Sequence, residues 1–364
     1  MKKIRNFGFL SLILLWLALV GFLWFGPKQQ DSLAERRPLT QLPEISGETL
    51  LDGGFMTKFE KYTLDQFPMR DRFRQLKSLT HYYVFGQRDN NKIYIADGHA
   101  AQIEYPLDED SVNRAIKQFQ RVYDRYLKDS GSQIYATVVP DKGYYLAEEN
   151  GYLALDYGKM FAQVQAGMPW AEYVDITDCL GIGNYYFTDT HWRQEALLPV
   201  AKKLSQAMGV TYPRPDDFTI TQLERPFYGV YYGQAALPMK AEPMYILEND
   251  LLDSCTVYNY TENKYAPVYN MEKLYGKDQY EVFLSGSQSL LQIENPSGNP
   301  DKKLIVFRDS FGSSLAPLLV QDYARVTLVD IRYISVEVLG QFVDFQNADV
   351  LFMYSSLVLN NNLI

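Results

Sequence analysis

The sequence predicts an α/β fold in which helices flank a parallel β-sheet. The first observation is an alternation of apolar runs and helical patterns late in the chain, because strand–helix–strand repeats build parallel sheets. The second is the run 134–139, whose continuous apolar end is typical of a strand buried on both faces. The third is an abrupt polar turn that joins an apolar run directly to a helix. The alternating elements are strands 304–307, 325–329 and 350–354 and helices that begin at 313 and 336.

The composition excludes several classes of protein. The chain has 364 residues and a net charge of −9, and no long basic run follows its N-terminus, which argues against nucleic-acid binding. It has three histidines and two cysteines, and their spacing is not that of metal ligands. We expect neither a metal nor a cofactor, since no nicotinamide or ATP fingerprint occurs. We interpret Cys179 and Cys255 as unpaired buried thiols, although they could pair in an oxidising compartment.

The N-terminus has the pattern of a membrane anchor. Lys2, Lys3 and Arg5 precede an uncharged apolar run over 7–25, and a helix of that length spans about 28 Å, close to the hydrocarbon core of a bilayer. The basic cluster predicts a cytoplasmic N-terminal end. A cleaved signal peptide is the alternative, but no small-x-small site is evident before Pro27. We expect a single-pass protein of the cell membrane with an extracellular catalytic domain.

The chain is long enough for two domains or for one large α/β domain with an insertion. We predict a membrane anchor over 1–26, a linker over 27–54 and a catalytic domain over 55–364. Helical periodicity fades over about 211–300, where prolines punctuate alternating tyrosine-rich runs, so we predict an irregular β-rich insertion there. Within it, the run 227–232, which includes Tyr228, forms either one wall of a substrate groove or a second hairpin in the core.

Local patterns predict the elements that precede the catalytic segments. The alternating runs 92–96 and 101–105 predict a hairpin with its turn at Asp97-Gly98. This register would place His99 in an exposed turn. Ser111 is expected to cap the helix that follows, because a serine before an apolar helical stripe is a typical N-cap.

Ser310 is a candidate nucleophile, because it lies in Asp309-Ser310-Phe311-Gly312, between a strand and a helix. The Ser310 amide and others at the helix start are expected to stabilise an oxyanion. A base is needed, and His191 lies in Asp189-Thr190-His191-Trp192. In an extended segment, residues i and i+2 point to one side, so Asp189 can hold one imidazole nitrogen and leave the other free. The alternative is that Ser310 caps a helix and His191 is a core histidine; the two segments together favour a catalytic triad.

These two segments resemble those of the DHHW family and of the alginate O-acetyltransferase accessory proteins, which are SGNH-type acetylesterase and acetyltransferase relatives. Weaker matches to the same family are 35–39, 67–71, 139–142 and 330–333. Carried over residue by residue, the family triad falls on Ser310, His191 and Asp189. The resemblance implies an SGNH-hydrolase-like parallel sheet, an acetyl group, and a polysaccharide hydroxyl as acceptor. It also suggests a membrane-bound O-acyltransferase partner, since acetyl-CoA is cytoplasmic.

Two further positions follow predicted strand ends, where open α/β sheets bind ligands. Lys142 follows strand 134–139 and borders the site, unless it is a surface lysine on a turn. Arg332 follows strand 325–329, and it either binds an anionic sugar or steadies its loop through Asp330. Together with Tyr228, Lys142 and Arg332 are the predicted substrate-binding residues.

The leading hypothesis is a membrane-anchored extracellular serine acyltransferase that O-acetylates a surface or exported polysaccharide. A carbohydrate acetylesterase is an alternative, because a triad looks the same whether a sugar or water receives the acetyl group. A non-catalytic, membrane-tethered glycan-binding or scaffold protein is an alternative from another class.

Overall fold

The computed structural model describes residues 2–364, and of residues 2–6 it describes the backbone alone. The chain divides into two compact units. One contains the residues up to Asn91 together with Tyr232–Met239, and the other contains Lys92–Tyr231 and Lys240–Ile364. The candidate site lies within the second unit. The boundaries 1–26, 27–54 and 55–364 stay predictions.

The α-helices are α1 (Lys2–Phe25), α2 (Gly47–Leu51), α3 (Gly54–Asp65), α4 (Arg70–Leu79), α5 (Glu109–Val122), α6 (Gly143–Leu146), α7 (Tyr157–Gly167), α8 (Leu198–Ala207), α9 (Val230–Ala235), α10 (Asp250–Ser254), α11 (Gly312–Leu315) and α12 (Ser356–Asn360). The strands are β1 (Asp31–Ser32), β2 (Arg37–Pro38), β3 (Asp89–Asn90), β4 (Ile93–Ala96), β5 (His99–Gln102), β6 (Gln133–Val139), β7 (Glu172–Tyr173), β8 (Thr219–Gln222), β9 (Tyr245–Glu248), β10 (Thr256–Asn259), β11 (Lys264–Ala266), β12 (Leu290–Glu294), β13 (Asn299–Arg308), β14 (Tyr323–Val329) and β15 (Asp349–Ser355). Turns of 3₁₀-helix lie at Thr177–Cys179, Ile182–Asn184, Gln194–Ala196, Pro215–Asp217, Met271–Tyr275, Gln279–Val282, Ala316–Leu319 and Val336–Gln341, and π-helical turns at Thr80–Val84 and Tyr123–Leu127.

In the first unit, α1 carries the apolar run. Among the described helices, it is the one whose length and composition allow it to cross a membrane, and a signal sequence has the same properties. Its segment Phe7–Phe25 has a mean hydropathy of 2.3, and none of it is buried within the protein. At the end of α1, the rings of Trp24 and Phe59 lie 6.0 Å apart, which places α3 against the end of the apolar helix.

The second unit is built on a mixed sheet with the strand order β11-β10-β12-β14-β13-β15-β6-β7. The strands from β14 to β7 are parallel to one another, whereas β11, β10 and β12 form an antiparallel extension at one side. The predicted α/β class with a mainly parallel sheet is confirmed. The antiparallel strands β10, β11 and β12 come from the region 211–300, so this region contributes directly to the central sheet.

Both faces of the sheet are covered by apolar layers, as β13 illustrates. Leu304 and Val306 point into one layer, which includes residues of α8, and Ile305 and Phe307 point into the other, which includes Phe119 of α5. The apolar run in β13 is continuous because neither face of this strand meets water. The turn that follows β13 is therefore held by the buried second half of the strand, residues 304–308.

Two local predictions are wrong. Asp97 and Gly98 both have positive φ, 48° and 78°, and Ala96 pairs directly with His99. The connection is a two-residue turn of the kind that suits the twist of a hairpin, so His99 belongs to β5 and is only 5% exposed. The helix α5 begins before Ser111, because the Asp108 side chain provides the N-cap by accepting a hydrogen bond from the Ser111 amide.

Candidate active site

Ser310 lies in the turn between β13 and α11, and Asp309 anchors this turn to the end of β15. The Oδ2 atom of Asp309 accepts hydrogen bonds from the Ser355 hydroxyl (2.6 Å) and the Ser355 amide (2.8 Å). The Oδ1 atom accepts one from the Phe311 amide (3.0 Å). Asp309, Phe311 and Ser355 are buried, whereas Ser310 is half-buried. The serine is thus accessible while the turn that carries it is fixed from below.

Arg308 braces the same turn from the last position of β13. Its side chain is fully buried, and its guanidinium donates to the Asp309 carbonyl (3.3 Å), the Ser313 hydroxyl (3.2 Å) and the Gly286 carbonyl (3.4 Å). Burial lowers the pKa of Arg308. These contacts tie both ends of the turn to one side chain, a supporting role that the sequence pattern did not indicate.

His191 and Asp189 lie in a tight turn closed by an antiparallel bridge between Tyr185 and Trp192. Asp189 Oδ1 accepts a hydrogen bond from the His191 amide (3.0 Å) and lies 2.6 Å from His191 Nδ1. On the other side of the imidazole, His191 Nε2 lies 2.8 Å from Ser310 Oγ. The structure therefore brings the three predicted residues together in the order carboxylate, imidazole, hydroxyl. This order suits a serine whose proton is taken by a histidine of fixed orientation.

The backbone at Gly229 and Val230 closes the far side of this turn. The Val230 amide donates to Asp189 Oδ2 (2.9 Å), and the Gly229 amide donates to the Thr188 hydroxyl (2.8 Å). Asp189 is completely buried, and both of its oxygens are engaged. Its orientation toward His191 is fixed by these bonds rather than by side-chain packing alone.

A buried ion pair supports the segment that leads into the turn. Arg193 Nη2 lies 2.6 Å from Glu242 Oε2, and the Glu242 carboxylate accepts hydrogen bonds from the amides of Phe187 (2.9 Å) and Thr188 (3.1 Å). Burial raises the pKa of Glu242, while these hydrogen bonds and the Arg193 charge oppose that effect. Glu242 lies far from the turn in sequence, so no local pattern could have identified it.

Lys142 is 2% exposed, so the alternative that it is a surface lysine is wrong. Its ammonium group donates to the carbonyls of Tyr186 (2.8 Å) and Phe187 (3.3 Å) and lies 5.2 Å from the centre of the Tyr231 ring. Burial lowers the pKa of Lys142 to about 7, and the nearby charge of Asp189 opposes the shift. The ammonium group thus holds the backbone before the Asp189 turn, and substrate binding by Lys142 stays a prediction.

Tyr228 and Arg332 occupy different environments. Tyr228 is 42% exposed and immediately precedes Gly229 in the chain. Arg332 forms a two-point ion pair with the fully buried Asp330, with contacts of 2.8 Å from Nε and 2.6 Å from Nη2. This pair is the loop-steadying contact that the sequence offered as an alternative to sugar binding. Substrate binding by Tyr228 or Arg332 stays a prediction.

The amide groups of the turn at 309–313, which carries Ser310, are mostly used within the turn itself. The amides of Phe311, Gly312 and Ser313 donate to Asp309 Oδ1, the Asp309 carbonyl and the Ser310 carbonyl, respectively. The expectation that several amides at the helix start point toward an oxyanion is therefore wrong for these three. Among the described residues, the Ser310 amide forms no hydrogen bond, which leaves it available as a donor.

Within the described part of the chain, no three His, Cys, Asp or Glu side chains come together as metal ligands. Cys179 and Cys255 are free thiols; Cys255 is buried and Cys179 is half-buried. Burial raises the pKa of Cys255 to about 11, so this thiol is neutral at ordinary pH and lacks the thiolate character of a reactive cysteine.

Comparison with solved structures places this fold among proteins of known architecture. The chain is similar to a DHHW family protein from Eubacterium siraeum, with 19% identity and a TM-score of 0.59, over 75% of this chain and 93% of that one. It is also similar to Bacillus cereus PatB1 in a structure with a sulfonyl adduct, with 14% identity and a TM-score of 0.59, over 74% of this chain and 96% of that one. The resemblance to the DHHW family that the sequence indicated is thus confirmed as a likeness of fold.

A more distant similarity links the chain to the O-acetyltransferase domain of Pseudomonas putida AlgJ. The identity is 12%, over 74% of this chain and 92% of that one, and the TM-score of 0.44 is too low to support an argument. The sequence matches no protein-family model and no curated protein. Fold and site geometry therefore carry the functional argument.

Proposed function

We propose that this chain is a serine O-acetyltransferase of SGNH-hydrolase type that modifies a hydroxyl group of a surface or exported polysaccharide. The observation that carries the proposal is the array of Asp189, His191 and Ser310, with contacts of 2.6 Å and 2.8 Å on the two sides of one imidazole. A buried carboxylate, a histidine and an accessible hydroxyl in this order support acyl transfer far better than they support a passive scaffold. The choice of acetyl and polysaccharide follows from the sequence resemblance to alginate O-acetyltransferase accessory proteins.

The reaction has two halves. In the first, His191 Nε2 takes the Ser310 proton while Ser310 Oγ attacks the carbonyl carbon of an acetyl donor; the bond to the donor's leaving group breaks, and the imidazolium protonates that group. In the second, a sugar hydroxyl gives its proton to His191 and its oxygen attacks the carbonyl carbon of acetyl-Ser310; the bond from that carbon to Ser310 Oγ breaks, and the imidazolium returns the proton to Oγ. The Ser310 amide is the available donor to the developing oxyanion, a contact worth on the order of 3 kcal/mol.

The helix α1 fits the role of a membrane anchor in this proposal. Its apolar segment Phe7–Phe25 is long enough to cross a bilayer, and Lys2, Lys3 and Arg5 precede it. The basic end would lie in the cytoplasm and the acetyltransferase on the extracellular side. Because acetyl-CoA is cytoplasmic, a membrane-bound O-acyltransferase partner would deliver acetyl groups to Ser310.

Covalent labelling tests the acyl-transfer site. The purified full chain would be exposed briefly to p-nitrophenyl acetate or to a sulfonyl fluoride, and its intact mass would be measured. We expect a single adduct on Ser310 and none on the Ser310→Ala variant. The matched control is Ser287→Ala, which removes an exposed serine of the same unit and should leave labelling unchanged. The proposal would be refuted if the wild-type chain gained no adduct, or if the Ser310→Ala variant were labelled as strongly as the wild type.

A second measurement separates acetyl transfer from hydrolysis. Acetyl delivered to oligosaccharides would be compared with acetate released to water, for the wild type and for Tyr228→Ala. If the exposed Tyr228 ring binds the acceptor sugar, its removal should lower transfer and leave release unchanged. Release to water with no transfer to any oligosaccharide would identify the chain as an acetylesterase instead.

A further inference from the structure

The ring of Tyr280 lies flat against the imidazole of His191. The two ring centres are 3.9 Å apart, and the planes differ by 8°. The Phe311 ring contacts the same imidazole at 4.9 Å with an angle of 54°. The histidine is therefore held in its plane by Asp189 and Ser310, and an aromatic face lies directly against that plane.

Tyr280 is itself fixed firmly in place. It is 3% exposed, and its hydroxyl lies 2.7 Å from the Ser314 hydroxyl, which also accepts a hydrogen bond from Trp192 Nε1 (3.0 Å). At the other end, the Tyr280 amide donates to the Asp278 side chain (2.9 Å), which caps the turn Gln279–Val282. The hydroxyl contact links Tyr280 to α11, the helix that follows the nucleophile. Movement of the ring away from the imidazole would therefore break its hydrogen bond to α11.

Tyr280 is unsuited to proton transfer. Burial raises its pKa well above the ordinary value, and the negative charges of Asp189 and Asp309 add to this effect, so the phenol stays neutral. Its hydroxyl is directed at Ser314 and not at His191 or Ser310. What it offers the histidine is the electron-rich face of its ring.

That face distinguishes the two states of the histidine. An aromatic face attracts a cation, by about 1 kcal/mol at exposed sites and by more where water is excluded. His191 is neutral before the reaction and becomes an imidazolium when it takes the Ser310 proton. The stack is stronger in the second state, so it stabilises the transition state more than the resting enzyme. We propose that Tyr280 is a positioning residue that aligns the His191 ring and favours its protonated form during acyl transfer, an inference that rests on the proposed function.

The groups around His191 make this contribution separable. Asp189 faces the imidazole from its own turn, and Tyr280 faces it from Gln279–Val282. In the nucleophile turn, Ser310 contacts the ring, while the Asp309 carboxylate is directed at Ser355 and Phe311. The Lys142 ammonium lies against the carbonyls of Tyr186 and Phe187. A substitution of Tyr280 changes none of these charges, so a shift in the titration of His191 reports the loss of the ring face.

The test compares Tyr280→Phe, which keeps the ring, with Tyr280→Leu, which removes it. The full chain would be assayed for kcat/KM with p-nitrophenyl acetate across pH. The base must be neutral to accept the Ser310 proton, so activity rises with pH through a midpoint to a plateau. Loss of the ring destabilises the imidazolium, and we expect Tyr280→Leu to move this midpoint toward acid by about half to one pH unit. Its plateau should fall about tenfold or more, whereas Tyr280→Phe should keep the midpoint and most of the activity.

Phe352→Leu is the control for loss of a buried aromatic. Phe352 is 2% exposed and stacks on Phe307 at 4.6 Å in the other apolar layer, away from His191. This variant should lose stability but keep the wild-type midpoint. A midpoint that is unchanged or moves toward alkali in Tyr280→Leu, or a Tyr280→Phe variant as impaired as Tyr280→Leu, would overturn the proposal.

Failure of the proposed function can be told apart from failure of this inference. The chain has three histidines, so nitrogen-labelled imidazoles give a small set of signals, and His191→Gln assigns one of them. Titration of that signal in the wild type and in Tyr280→Leu measures the effect of the ring on His191 without any turnover. If the wild type lacks Ser310-dependent activity but the His191 signal still moves toward acid in Tyr280→Leu, acyl transfer is refuted and the effect of the Tyr280 ring on His191 is retained. A His191 signal that titrates identically in the wild type and in Tyr280→Leu would refute the proposal that Tyr280 favours the protonated form of His191.

Discussion

The α-carbons of Gly229 and Asp189 are so close that a methyl group added to Gly229 would lie 2.3 Å from the Asp189 α-carbon. A β-carbon essentially never lies within 3.0 Å of a heavy atom in another segment, so one of the two segments would have to move. The Gly229 segment also supplies the Val230 amide that binds Asp189 Oδ2. The absence of a side chain at position 229 is therefore a condition for the alignment of Asp189 with His191.

We expect Gly229→Ala to lower kcat/KM about 100-fold, because a shift of about 1 Å in a reacting array can cost that much. The matched control is Gly183→Ala, since Gly183 has no heavy atom within 4 Å of its added methyl group. Hydrolysis of p-nitrophenyl acetate by the two variants, each checked for folding by circular dichroism, measures the difference. Equal activity in the two variants would show that the close approach at Gly229 does not hold the site.

Ser310→Ala and His191→Ala should each lower kcat by several orders of magnitude, and the double variant should lose little more. In the proposed mechanism the hydroxyl and the imidazole act as one unit, so loss of either group also removes the contribution of the other. Steady-state kinetics of the two single variants and the double variant test this. Losses that multiply in the double variant would mean that the two residues act independently.

Ser355→Ala should impair both stability and catalysis. The substitution removes the hydroxyl bond to Asp309 and the hydrogen bond that caps α12 at Val358, and we expect a loss of about 1–3 kcal/mol in the free energy of unfolding. Ser356→Ala is the neighbouring control, because Ser356 is equally buried but its hydroxyl donates to Asp141 (2.7 Å). Urea unfolding should show a comparable cost for both variants, whereas kcat should fall about tenfold or more in Ser355→Ala alone.

The stability of the protein should fall between pH 6.5 and pH 4 partly because of His99. Burial, together with the Lys142 charge, lowers the pKa of His99 from 6.5 to about 4, so in this interval the unfolded chain binds a proton that the folded chain does not. The contribution of His99 to the free energy of unfolding is fully present above pH 6.5, and about 3 kcal/mol of it is lost near pH 4. His99→Gln should lose less stability on acidification, as measured by urea unfolding at pH 7 and pH 4. Equal losses of unfolding free energy in the wild type and in His99→Gln would contradict the attribution of this pH dependence to His99.

The proximity of Ser310, His191 and Asp189 could be predicted from the sequence, because these residue types are rare in this chain or lie in short local motifs. Ser310 follows a continuous apolar run, and His191 is one of only three histidines and lies two positions from Asp189. Those signals can be recognised without any knowledge of packing. The structure adds the distances, but the residue types and their strand-end positions are readable along the chain.

The supporting residues could not be predicted, because each contacts the site across a long stretch of chain. Tyr280, Gly229 and Glu242 all lie in 211–300, where the sequence periodicity is weak, and their partners are in the turn at 187–191. Whether His99 is buried depends on where the return strand of the hairpin begins. That strand begins at His99, two residues before the predicted start at 101. A pattern of apolar residues records which face is buried, but not which distant side chain covers it.

The anchoring of Asp309 by Ser355 also makes the turn at Ser310 depend on the last strand of the sheet to be synthesised. The strand β15 leaves the ribosome after the turn that carries Ser310. It must pair with β13 and β6 before Ser355 can bind Asp309. In a chain that lacks β15, the Ser355 hydrogen bonds that hold Asp309 next to Ser310 therefore cannot form.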